Sequence, residues 1–342
     1  MTFSLKRQIR LVLSFFFFMK GIQSFRKNRE TPVESYLAMR SLYSITNGRF
    51  NDFISWIQAL RHPKYARLSL NGILGNLSKA EVKDIVSEIK RNGYYVAPQR
   101  LDLDSIDRIV QFCKDTPAEY LKIDSEDFQG CLYLDKEIIF DSLKPISPIY
   151  IFNMQQIFEN LDLLNIILDQ SLLAVAQEYL NCSPILDAVS LWWSAPFNGK
   201  GKSEAAQEYH YDMDRIKFLK IFIYLTDVNP ENGPHCYVKG SHVRKPRALL
   251  LDGRKSDDQI RTYYPESQIN ELCGPQGTII FADTRGFHKG KPLTNGYRLI
   301  FQMEYANSLF GKNYPKIRVD RLPHSSTIEE AVNKYPRTYG QI

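Results

Sequence analysis

Apolar positions along the chain fall into two textures, and the change between them lies near Ile185. Upstream, "FNDFISWIQAL", residues 50–60, repeats apolar side chains at helical spacing. "LSKAEVKDIVSEIKRNG", residues 77–93, does the same between a capping box of Ser78 and Glu81 and a stop at Gly93. "YYVAP" then predicts a short strand closed by Pro98, and "SIDRIVQFCKD" and "DLLNIILDQSLLAVAQEYL" predict two more helices. Downstream, "ILDAVSLWWSAPF", "FLKIFIYLTDV", "HCYVKGSH", "GTIIFADT" and "YRLIFQMEYA" are short, rich in β-branched and aromatic residues, and separated by Gly, Pro and Asn. That alternation predicts an antiparallel sandwich or barrel. The polar stretch from Arg244 to Pro275 reads as an insertion over one end of the sheet.

Composition narrows the picture. With 342 residues and 44% hydrophobic content the chain can bury a large core. The net charge is +6, but residues 1–30 alone hold seven basic residues and one acidic, again +6. The body is therefore near neutral, which argues against nucleic-acid binding. Within that basic segment an apolar run from Leu11 to Met19 is too short to span a bilayer, and no A-x-A cleavage pattern follows it. The readings that stay open are a helix lying on an anionic membrane surface or docking on a partner, and a helix packed on its own domain. Five cysteines, odd in number and without a C-x-x-C pair, fit a reducing, cytoplasmic setting. "GKGKS", Gly199 to Ser203, imitates the end of a P-loop but has Pro196 where that motif needs glycine, so a solvated loop is expected there.

The candidate chemistry sits in "QEYHYDMDRIKFLKIFIYLTDV", residues 207–228. Side chains two apart on an extended segment share a face, so His210 and Asp212 can reach one metal ion together. Of the six histidines, His288 stands out as a third ligand, because it follows the strand "GTIIFADTRGF" at a turn. Two histidines and one carboxylate on a β scaffold form the facial triad of non-haem Fe(II) oxygenases. Arg298, opening the strand "RLIFQMEY", can hold a carboxylate in two hydrogen bonds near that ion; a surface arginine or an ion pair with Asp283 or Glu304 is the alternative. Asp214 is expected in a loop or salt-bridge role, His242 as a turn brace, and His235 as either a substrate contact or a satisfied core histidine.

The string "YHYDMDRIKFLKIFIYLTDVNPENGPHCYVKGSH", followed by "GTIIFADTRGFHKGKPLTNGYRLIFQMEY", resembles the phytanoyl-CoA dioxygenase (PhyH) family of Fe(II)/2-oxoglutarate oxygenases over about residues 185–306. "NGYYVAP" extends the likeness back toward Leu77. The resemblance implies a mainly β core, a double-stranded β-helix of the jelly-roll or cupin kind, with a helical N-terminal half around it. It implies His210, Asp212 and His288 as iron ligands, Arg298 as partner of the distal carboxylate of 2-oxoglutarate, and O2 as the second cosubstrate. Trp192, Trp193, Ser194 and Lys220 are further candidates for the cosubstrate site. The expected organisation is an N-terminal helical extension over 1–70, the oxygenase domain over 71–310 with its insertion at about 244–275, and a tail over 311–342. The expected reaction is hydroxylation of a small molecule with release of succinate and CO2, favoured over halogenation by the presence of Asp212. Two rivals remain: a non-catalytic β-sandwich that keeps a metal-like pocket, and a cupin using zinc or manganese without 2-oxoglutarate.

Overall fold

The computed structural model describes residues 3–121, 134–196, 207–251, 253–314 and 323–342. The loop expected over 198–206, with its P-loop imitation, lies outside the described residues. Three helices come first: α1 (Phe3–Asn28), α2 (Val33–Thr46) and α3 (Arg49–Arg61). A two-stranded ribbon, β1 (Asn71–Gly72) and β2 (Gly75–Asn76), leads into α4 (Lys79–Asn92), β3 (Tyr94–Arg100) and α5 (Leu103–Asp115). Next come β4 (Ala118–Leu121), β5 (Leu134–Ile138), β6 (Ile149–Phe152), α6 (Met154–Glu159), α7 (Leu161–Ile167) and α8 (Gln170–Leu180). The strand-rich half holds β7 (Ile185–Ser194), β8 (Phe218–Tyr224), β9 (His235–Val238), α9 (Asp257–Arg261), β10 (Ile269–Leu272), β11 (Thr278–Ala282), β12 (His288–Gly290) and β13 (Arg298–Ala306), and α10 (Ser325–Lys334) and α11 (Pro336–Tyr339) follow.

The strands form a large sheet in the order β3-β11-β8-β13-β7-β6-β4-β5 and a small one in the order β10-β9-β12, all antiparallel. Alternation then sorts the side chains. Leu219, Ile221 and Ile223 of β8, Ile279 and Phe281 of β11, and Leu299, Phe301 and Met303 of β13 are buried in one cluster with α4, α5, α7 and α8. From the opposite face, Phe222, Tyr224, Ile280 and Ile300 meet Tyr237 and Leu272 of the small sheet. This is the jelly-roll core with helices packed outside it. Each fully buried aliphatic or aromatic side chain here contributes roughly 1.5–3 kcal/mol.

Several elements differ from the sequence reading. The run 162–180 is two helices, because Asp169 turns extended and caps α8, its carboxylate accepting from Leu172 N at 2.9 Å. Strand β3 continues past Pro98 to Arg100; it is an edge strand, and its register with β11 shifts between Thr278 and Ile280, opposite the proline. Strands β4, β5 and β6, unread in the sequence, extend the large sheet beyond β7. The capping box at Ser78 and Glu81 is present, and Gly93 ends α4 at φ 92°. A Cβ there would come within 2.3 Å of the Tyr237 hydroxyl, so glycine is required twice over. Helix α1 packs on α2 through Phe18, and Gly21 permits the approach, since a Cβ at that position would lie 2.2 Å from Ser35 Cβ.

Candidate metal centre

The centre is built where two distant segments meet as antiparallel backbone. His210 N donates to His288 O at 3.0 Å and His288 N donates back to His210 O at 2.9 Å. Such a hydrogen-bonded pair places both side chains on one face. Asp212 N donates to Thr284 O at 2.8 Å, which fixes the carboxylate two positions on. His210 and Asp212 thus lie on an extended segment held by bridges rather than inside a regular strand, and His288 opens β12 opposite Tyr237 of β9. Their ligand atoms all lie within 4.8 Å of one another, the single such group among the described residues.

Both imidazoles are aimed by the backbone. Nδ1 of His210 lies 3.0 Å from the Glu208 carbonyl, and Nδ1 of His288 lies 3.0 Å from the Gly286 carbonyl. A carbonyl only accepts, so each Nδ1 carries the proton and each Nε2 presents a lone pair to the cluster. His210 Nε2 is 3.7 Å from Asp212 Oδ1, and His288 Nε2 is 3.5 Å from Oδ2. Burial pushes His210 down to about 4 and His288 to about 3, so both rings are neutral near neutral pH. Asp212 goes the other way: burial would raise it, but Lys220 first, then His288 and His210, hold it well below the usual carboxylate range. The donor set of two neutral imidazoles and one carboxylate fits a divalent first-row metal.

Lys220 comes from β8 and sits 8% exposed beneath the cluster. Its Nζ donates to Asp212 Oδ2 at 2.7 Å and lies 3.7 Å from Asp214, which takes the salt-bridge role expected of it. Glu304 of β13, Lys220's register partner, is 3.5 Å away and makes no hydrogen bond through either oxygen. Burial, more than any neighbour, drives its carboxyl well above the ordinary range, and the lysine's hydrogen bond goes to Asp212.

Arg298 opens β13 and is 6% exposed. It donates to the Gly233 carbonyl and, at 3.2 Å, to Ser194 Oγ, while its Nε has no hydrogen-bond partner. Neither alternative partner holds it: Asp283 is taken by Arg285 and Tyr179, and Glu304 faces Lys220. No carboxylate among the described residues pairs with this guanidinium, and a buried cation of that kind is stable only with an anion beside it. Ser194 and the half-buried Trp192 share its side of the sheet, whereas Trp193 turns into the helical core and stacks on Phe140 at 4.9 Å. His235, buried, stacks 5.4 Å from the His288 ring with its Nε2 unpartnered. His242 Nε2 braces a turn at 3.0 Å from the Lys90 carbonyl. A cavity of about 440 Å³, lined by His210, Asp212, Asp214, Arg40, Gly253 and Arg254, opens from the cluster.

Residues 153–300 match the family model of phytanoyl-CoA dioxygenase (PhyH), and all four candidate residues fall inside that span. The family uses Fe(II), 2-oxoglutarate and O2. No curated protein matches the chain. Among solved structures, the chain is similar to the non-haem α-ketoglutarate-dependent epimerase SnoN from nogalamycin biosynthesis, at 16% identity over 67% of this chain and 84% of that one, TM-score 0.47. AviO1 from Streptomyces viridochromogenes Tue57 shares 18% identity over 70% and 100%, TM-score 0.44. HygX from Streptomyces hygroscopicus, solved with nickel and 2-oxoglutarate, shares 14% over 70% and 91%, TM-score 0.45.

Proposed function

Starting from the membership of residues 153–300 in the PhyH family, we propose that this protein is an Fe(II)/2-oxoglutarate-dependent oxygenase that hydroxylates a small molecule, with His210, Asp212 and His288 holding the iron and Arg298 the distal carboxylate of 2-oxoglutarate. The observation that carries this reading is the convergence of two Nε2 lone pairs and one carboxylate within 4.8 Å, together with a buried arginine, Arg298, that has no carboxylate partner among the described residues. Iron held by these three residues would, with 2-oxoglutarate and O2, supply the oxidising chemistry for hydroxylation, the cosubstrate leaving as succinate and CO2.

The chain's own residues bind, orient and shield. The Glu208 and Gly286 carbonyls fix the tautomer and pitch of the two imidazoles, the kind of support whose loss costs 10–100-fold in metal affinity. Lys220 occupies one oxygen of Asp212 and so presents the other to the ion. Arg298 and Ser194, on the same sheet face as the buried Phe222, Tyr224 and Ile300, would orient a dicarboxylate in apolar surroundings. The pocket mouth with Arg40, Gly253 and Arg254 is where the substrate enters.

Anaerobic titration of the purified protein with Fe(II) and 2-oxoglutarate tests the chelate. A visible charge-transfer band is expected in wild type and no band in His210→Ala. Arg298→Ala should keep the metal but raise the 2-oxoglutarate requirement by at least tenfold, the scale of a lost charge-assisted bidentate pair. A metabolite panel scored by substrate-stimulated succinate release, with product mass gaining one oxygen atom, tests hydroxylation. Wild-type succinate release by the His210→Ala protein would sink the assignment.

A further inference from the structure

Helix α1 is apolar on both sides, and the fold uses only one. Ser14, Phe18 and Gly21 face α2, and Phe18 meets Phe50 and Phe310 edge-on at 4.9 and 5.1 Å. Beyond that contact α1 carries Ile9, Val12, Leu13, Phe16 and Met19, exposed by 41, 67, 52, 61 and 46%, with Ile9 and Leu13 beside Leu37 of α2. Neighbouring helices enlarge the surface: α2 exposes Val33 and Leu37, and α3, touched by Phe15 through Phe50, exposes Phe53, Trp56 and Leu60. Exposed apolar side chains on three helices that meet through α2 mark an interaction site.

Charge identifies the occupant. The same helix carries Lys6, Lys20, Arg26 and Lys27 exposed, while Arg7 and Arg10 are tied back to Ile45 O and Ser41 Oγ on α2. Residues 1–30 sum to +6, so a second copy seated on this face would bring like charges together. Among the described residues no helix is long and apolar enough to cross a membrane. What accepts exposed aromatic and aliphatic side chains while attracting a rim of lysines is the headgroup boundary of an anionic bilayer. We propose that α1, with the exposed edges of α2 and α3, is a docking surface on which this protein binds anionic membranes reversibly, α1 lying in the membrane plane. The helix comes pre-folded, since Phe18 and Ser35 already hold it on the body, so docking orders no further chain.

Co-sedimentation of the full-length protein with phosphatidylcholine vesicles, with and without phosphatidylserine, decides the matter. Binding is expected to the anionic vesicles, weakening as salt rises, with a blue shift of Trp56 emission. Lys20→Gln with Lys27→Gln should lower the partition coefficient about 25-fold, from roughly fivefold per lysine near an anionic surface. Phe16→Ser with Leu13→Ser should abolish it, and these exposed changes should leave the melting temperature and Fe(II) binding unaltered. The proposal is overturned if neither vesicle type binds the protein, if the lysine variant binds as well as wild type, or if lipid-free protein is a dimer that Phe16→Ser converts to monomer.

Discussion

Burial holds His210 down at about 4 and His288 at about 3, while Lys220 and the two rings keep Asp212 ionised. All three groups are therefore in their ligating form across the range from about pH 5 upward, and an incoming ion displaces no proton from them. Two histidines at the ordinary value of about 6.5 would each be half protonated at pH 6.5 and would release about one proton together. Calorimetric titration of the protein with a divalent metal at pH 6.5, in buffers of different ionisation enthalpy, should give one apparent enthalpy throughout. The sign follows from the downward shifts: affinity stays level on acidification from pH 8 to about 5 and falls only as protons compete near pH 4. An enthalpy that tracks the buffer by about one proton would show that the rings are not held neutral. At this scale the sequence was informative about His210, Asp212, His288 and Arg298, which carry their meaning in residue type and order. It left the role of Lys220 open, because the clamp on Asp212 depends on β8 lying beside β13 and on the pleat turning Lys220 inward.

Among elements, the junction at Asp169 ties together parts of the chain that the sequence keeps apart. Its carboxylate accepts from Leu172 N, from Ser171 Oγ at 2.5 Å and, through the other oxygen, from Ile73 N at 2.9 Å, joining α8 to the β1–β2 ribbon. Asp169→Ala should cost about 2 kcal/mol, summing a lost N-cap and the half-buried Ile73 N–H left without its acceptor. Urea denaturation followed by circular dichroism measures this, and Asp169→Asn, which keeps an oxygen acceptor, should recover most of it. The junction also shows why the sequence misleads there: 162–180 keeps helical periodicity straight through it, and an aspartate reads alike in a helix and at a cap. Ser78 and Glu81 were legible as a capping box because both halves stand three residues apart at the start of an apolar repeat. Strand β6, four residues long, offers too short a run to show any period, and Pro98 reads as a terminator although an edge strand tolerates it.

Across the molecule, the jelly-roll core and the metal centre are separable. The main cluster lies between the large sheet and the helices, whereas the three candidate ligands sit on the opposite side, between the sheets. Binding an ion should therefore add to the stability of an already folded chain. At a free-metal concentration about one hundred times Kd the gain is about 2.7 kcal/mol, worth about 4 °C in melting temperature for a chain of this size. Differential scanning fluorimetry with Fe(II) under argon, or with Ni(II) in its place, should show the rise in wild type and none in His210→Ala. A protein that melts cooperatively only when metal is present would contradict this separation.

The pair of backbone hydrogen bonds between His210 and His288 has a bearing on how the chain is made. It joins positions far apart in sequence, and strands β8 to β11 lie in the loop that it closes. Non-local pairings of this kind form late, because chain entropy opposes closure until the intervening strands are in place. During synthesis the first two candidate ligands emerge well before the third, and Arg298 emerges after that. A nascent chain halted before β12 holds an H-x-D segment with no partner across from it. Any ion held jointly by His210, Asp212 and His288 therefore binds after β12 has paired, and does not serve as the nucleus of that pairing.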